Sequence, residues 1–142
     1  MIKLEPQALD TMLQDAVNTF PDECCGFFFG REEGEGRLIT DVQVVHNAKE
    51  GDKRRRYEVA PRDYLKAEAY ADEKGLALLG VYHSHPNHPA LPSETDRLAA
   101  QPFFSYIIIS VLEGRVDAIR SWQLNDQEQF EEKTLTYETQ TT

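Results

Sequence analysis

Leu76-Ala77-Leu78-Leu79-Gly80-Val81-Tyr82-His83-Ser84-His85-Pro86 is the stretch from which the rest of the chain can be read. Between Gly75 and His83 every residue is apolar or glycine, and the run is too short for a helix of ordinary length. It predicts a short buried strand. That strand delivers His83 and His85 at its C-terminal end. Residues two apart on an extended chain point to the same side, so both imidazoles can converge on one point without bending the backbone.

Downstream, Pro86, Pro89 and Pro92 fix φ at three positions of the following loop. A loop stiffened in this way can return Ser93 and Asp96 towards the histidines in a defined geometry. Zinc takes imidazole nitrogen and carboxylate oxygen, and a catalytic site uses three protein ligands while leaving a fourth position open. His83, His85 and Asp96 therefore form a candidate ligand set. Ser93, one helical turn before Asp96, could donate its hydroxyl to an oxygen developing negative charge. Ser93-x-x-Asp96 after Pro92 also has the form of a helix capping box. The two uses are compatible, because a helix N-terminus favours both a hydroxyl and a carboxylate.

Working outward, Leu9, Met12, Leu13, Ala16, Val17 and Phe20 recur at spacings of three and four, which predicts an amphipathic helix ended by Pro21. Cys24–Phe29 and Leu38–Val45 predict paired strands across a turn at Gly34 and Gly36. Arg56–Val59 predicts a short strand, either internal or at an edge, and Pro61 starts a second helix that ends at Gly75. Ser93–Ala100 predicts a short helix. Phe103–Leu112 and Val116–Leu124 predict a hairpin turning at Glu113-Gly114-Arg115. Helices mixed with hairpins imply a single α/β domain over residues 1–142, built on a curved mixed sheet flanked by helices, with a polar tail after about Phe130.

Hydrophobic residues are 40% and charged residues 28% of the chain, the balance of a globular protein. A net charge of -10 argues against nucleic acid as a partner, since phosphate recognition rests on clustered Lys and Arg. The one basic run, Lys53-Arg54-Arg55-Arg56, reads as a solvated loop or as a grip on an acidic partner. No apolar run approaches the roughly 20 residues of a membrane span, and the N-terminus lacks an export signal, so a cytoplasmic protein is expected. Cys24 and Cys25 are adjacent and not expected to bridge; a core role is expected for at least one of them. His88 is expected to be an exposed loop residue, and His46 carries no signal.

His83-Ser84-His85-Pro86 through Pro92-Ser93-Glu94-Thr95-Asp96, with Glu23 upstream in Pro21-Asp22-Glu23-Cys24-Cys25-Gly26, resembles the JAMM (MPN+) metalloprotease motif. All five motif positions are filled, over a span from about Phe20 to Leu112. The resemblance implies the JAMM/MPN, cytidine-deaminase-like architecture, Zn2+ held by His83, His85 and Asp96, Glu23 as general acid and base, and Ser93 as oxyanion donor. Glu23 enters only through this resemblance; by itself, an acidic pair after Pro21 reads as an exposed turn.

The chain's size is similar to that of the stand-alone prokaryotic branch. That likeness implies hydrolysis of a peptide or isopeptide bond after the C-terminal Gly-Gly of a ubiquitin-like sulfur-carrier protein. A Gly-Gly tail lies extended and presents no side chain to a narrow cleft, and Arg56–Val59 is a candidate edge for it. Two competing readings are a metal-free MPN-type scaffold, whose members lack motif residues, and a zinc nucleobase deaminase, whose His-x-Glu and Pro-Cys-x-x-Cys signature is not found here.

Overall fold

In the computed structural model, which describes residues 1–137, the first helix begins at Pro6, where a residue without a backbone N–H loses nothing in the first turn. This helix, α1 (Pro6–Thr19), buries Leu9, Met12 and Ala16, three of the stripe residues read from the sequence. Helix α2 (Pro61–Lys74) also starts on proline. It ends at Gly75, whose φ of 67° lies in the left-handed region that a β-carbon disfavours. A short α3 (Glu94–Ala99) follows the proline loop.

Eight strands make one mixed sheet. They are β1 (Ile2–Leu4), β2 (Cys25–Glu33), β3 (Gly36–Val45), β4 (Ala77–Pro86), β5 (Ser105–Leu112), β6 (Arg115–Leu124), β7 (Phe130–Lys133) and β8 (Leu135–Tyr137). Their order is β7-β6-β5-β4-β2-β3-β1-β8, so β4 is central. It runs antiparallel to β2 and parallel to β5, with the proline loop and α3 forming the crossover to β5. Backbone approach at the β4–β5 seam is close: a β-carbon on Gly80 would stand 1.8 Å from the Ser105 carbonyl oxygen.

Each face of the sheet carries its own core. On one, Leu9, Met12 and Ala16 of α1 pack with Phe28, Leu79, Tyr82, Ile107 and Ile109. On the other, Ala67 and Ala71 of α2 pack with Phe27, Phe29, Val81, Phe104 and Tyr106. Period-2 alternation along β2 thus sends Phe28 to α1 and its two neighbours to α2. The apolar run in β4 is buried on both faces as its composition requires, with a register shift opposite Phe28/Phe29 that skips Leu79.

Two features of the secondary structure differ from the sequence reading. Arg56–Val59 is not a strand. Its polar backbone is bound elsewhere: Glu58 N donates to Asn47 Oδ1, Arg56 O accepts from Asn47 Nδ2, and Glu58 O accepts from Ala48 N. The strands β1, β7 and β8 were not anticipated. They are short and sit at or near the sheet edges, where a half-exposed strand needs little apolar sequence. The polar tail therefore contributes two strands, while residues 138–142 lie outside the described part. Among the described residues no helix is long and apolar enough to cross a membrane.

Candidate metal centre

His83 and His85 lie within β4, His83 between Cys25 of β2 and Ile108 of β5, and His85 beside Ser110 of β5. Alternation puts both imidazoles on one face, and their Nε2 atoms stand 3.1 Å apart. Asp96 meets them from the first turn of α3, with Oδ1 3.4 Å from His83 Nε2 and Oδ2 3.2 Å from His85 Nε2. All three ligand atoms fall within 4.8 Å of one another. Lone pairs brought so close require a proton or a cation between them, and this trio could hold a metal ion.

The Ser93–Asp96 pair is also a capping box. Ser93 Oγ accepts from Asp96 N at 3.0 Å, and Ser93 N donates to Asp96 Oδ2 at 2.8 Å. The cap aims the carboxylate at the histidines while leaving the Ser93 hydroxyl proton free to donate. Capping and ligand geometry coincide here in one residue pair. Burial opposes ionisation of Asp96, but the two imidazoles and the Ser93 amide hold its carboxyl well below the usual range. Burial pushes His83 down. For His85 burial is outweighed by the Asp96 carboxylate and the Pro89 carbonyl, which push it up.

Glu23 is buried, not the exposed turn that its neighbourhood reads as. It lies between α1 and β2, and it lines one cavity with Asp96 and another with His85 and His88. Burial raises its carboxyl to about 8, opposed by His85 and reinforced by Asp96. A carboxyl poised near neutrality beside clustered donors can both take and return a proton. The first of these cavities, about 370 Å³, is also lined by Arg55–Val59, Tyr64, Thr95, Ala99 and Tyr106.

The loop between the histidines and Ser93 is held at several points. His85 Nδ1 bonds Pro89 O at 2.9 Å, Ser110 Oγ donates to His88 O at 2.6 Å, and Trp122 Nε1 donates to Ala90 O at 3.1 Å. Ser84, between the two histidines, accepts from Cys24 N at 2.9 Å on the opposite face of β4. Ser110, Trp122 and Ser84 hold the backbone around the two histidines, and sequence reasoning missed them. Only a buried position for a polar residue in an apolar strand, as at Ser110, could have marked one. Cys24 and Cys25 are free and buried, in keeping with a core role; burial pushes the Cys25 thiol up to about 12. His46 and His88 are exposed.

Residues 5–125 match the family described as prokaryotic homologs of the JAB domain. A desampylase of Haloferax volcanii is 31% identical over 122 residues, covering 82% of this chain and 85% of that protein. A probable TtuB-protein conjugate cleaving protease of Thermus thermophilus is 34% identical over 104 residues, 73% of this chain and 63% of that one. A solved structure of a Desulfitobacterium hafniense protein superposes with a TM-score of 0.85 at 30% identity, covering 99% of this chain and 94% of the other. The motif residues, the α/β fold and the match over most of the chain agree: this protein belongs to the prokaryotic homologs of the JAB domain.

Proposed function

We propose that the chain is a zinc metallopeptidase of the JAMM type that hydrolyses the bond following the C-terminal Gly-Gly of a ubiquitin-like sulfur-carrier protein. The observation that carries this reading is the convergence of His83, His85 and Asp96 beside the buried carboxyl of Glu23. The donor set fits zinc: the two imidazole nitrogens stand 3.1 Å apart, close to the roughly 3.3 Å between ligand atoms on a tetrahedral zinc with bonds of about 2.0–2.1 Å, and one Asp96 oxygen lies 3.2 Å from His85 Nε2 while the other lies 3.4 Å from His83 Nε2. Two imidazole nitrogens and one carboxylate also leave a position for water. Relatives named desampylase and probable TtuB-protein conjugate cleaving protease support the reaction class.

Zinc, when bound, lowers the pKa of water to about 7 and polarises a carbonyl oxygen. Glu23 takes the proton of the attacking water and gives it to the leaving amine, a two-way role that its raised pKa favours. Ser93 donates its hydroxyl to the oxygen that gains charge. Asp96 and the two histidines hold the ion, with Pro89 O fixing the tautomer of His85. The products are the carrier's Gly-Gly carboxylate and a free amine. The tail would lie along the wall formed by Arg55–Val59, although that wall is not a strand; small glycines suit its cavity.

The test is to measure zinc per chain and then incubate the protein with Gly-Gly carriers extended at the C-terminus, comparing wild type with Glu23→Ala by mass spectrometry. One zinc per chain with loss of the extension in wild type alone is expected. No bound zinc, and no cleavage after zinc is added, would refute the proposal in favour of a metal-free scaffold.

A further inference from the structure

His85 has its second ring nitrogen fixed by Pro89 O, whereas His83 Nδ1 is buried without a hydrogen-bond partner among the described residues. Histidines that bind metal are normally oriented through that second nitrogen. What lies against His83 is the Tyr57 ring, stacked at 4.4 Å between centroids with an interplanar angle of 22°. Tyr57 sits in a loop segment with no ladder of its own, so something else must hold it in place.

Asn47, buried just after β3, supplies that hold. Its Nδ2 donates to Arg56 O and to Glu23 O, both at 3.0 Å. Its Oδ1 accepts from Glu58 N at 3.1 Å and from Lys49 N at 3.0 Å. These four bonds use both amide hydrogens and both oxygen lone pairs. Two of them clasp the residues on either side of Tyr57, and a third grips the backbone of Glu23.

We propose that Asn47 is a positioning residue that sets Glu23 and His83 relative to each other, acting on Glu23 through its carbonyl and on His83 through the Tyr57 ring. The inference rests on the reading of His83 as a ligand and Glu23 as the base. No other side chain type of this size matches the demand. Aspartate keeps the two acceptors but loses both donors and adds a charge beside a buried carboxyl. Alanine loses all four bonds.

The experiment uses the full chain, with wild-type zinc stoichiometry and Glu23→Gln activity measured first, so that failure of the parent reading is recognised separately. Zinc affinity is then read by competition with a chromophoric chelator, and amide exchange is read at Lys49 and Glu58. Asn47→Asp, which keeps the acceptor of both amides, should lower zinc affinity by roughly 10- to 100-fold and lower kcat more than it raises KM, while Asn47→Ala should in addition speed exchange at both amides. Tyr57→Leu, which disturbs no Asn47 bond, should lose zinc affinity while leaving that exchange unchanged, and Tyr57→Phe should restore it. Wild-type zinc affinity and kcat in folded Asn47→Asp would overturn the proposal. So would Tyr57→Leu binding zinc as tightly as Tyr57→Phe.

Discussion

Replacing Glu23 by glutamine in the metal-free protein should make it more stable, and the gain should grow with pH. Glu23 titrates near 4.5 when exposed and at about 8 in the folded chain, chiefly because burial penalises its charge. Below pH 4.5 the carboxyl is neutral in both states and contributes no penalty. As pH rises from there, the unfolded chain gives up its proton and the folded one does not, so wild-type stability falls until about pH 8. At about 1.4 kcal/mol per pH unit, the interval from 4.5 to about 8 amounts to on the order of 5 kcal/mol. Glutamine has nearly the same shape and no such titration. Urea unfolding of both proteins with chelator present, at pH 5, 6.5 and 8, measures the difference directly, and the titrations of His83 and His85 largely cancel because both proteins share them. A stability difference constant to within about 0.5 kcal/mol across that range, smaller than the usual effect of a buried group, would refute the account of Glu23 as a carboxyl held neutral by burial. The same variant should lose 100-fold or more in kcat, roughly the contribution of a general base.

Gly80→Ala should cost about 3 kcal/mol in urea unfolding, because the new β-carbon would meet Ser105 O at 1.8 Å and Phe28 Cζ at 2.6 Å. Cys25 should resist modification by a disulfide reagent at pH 8: its rise from 9.0 to about 12 leaves on the order of 1,000-fold less thiolate than in the unfolded chain. Modification in urea should be fast, and equal rates in the two states would contradict the burial argument. Ser110→Ala removes the hydroxyl that donates to His88 O and should cost about 1 kcal/mol. It should also weaken zinc binding several-fold by chelator competition, because the freed loop carries the carbonyl that orients His85.

Local sequence determined much of this protein. Leu76–Tyr82 is too apolar for any position but the centre of a sheet, and it emerges as β4 with its two histidines on one face. Pro61 and Gly75 mark helix ends because their φ preferences are properties of single residues. Ser93-x-x-Asp96 is legible for the same reason: a capping box is completed within one turn. The tertiary structure decided what depends on residues distant along the chain. Glu23 stands in an acidic turn that reads as solvent-exposed, and only the packing of the Asn47–Val59 loop over it makes it a buried carboxyl. Arg56–Val59 alternates like a strand, yet a side-chain amide and a single loop contact take its backbone hydrogen bonds. The strands β1, β7 and β8 exist because the sheet offers them open edges, a property of the partner rather than of their own residues. Tyr57 reaches His83, and Asn47 reaches Glu23, across sequence gaps that no local pattern spans, because side-chain contacts of this kind are set by where the whole chain folds.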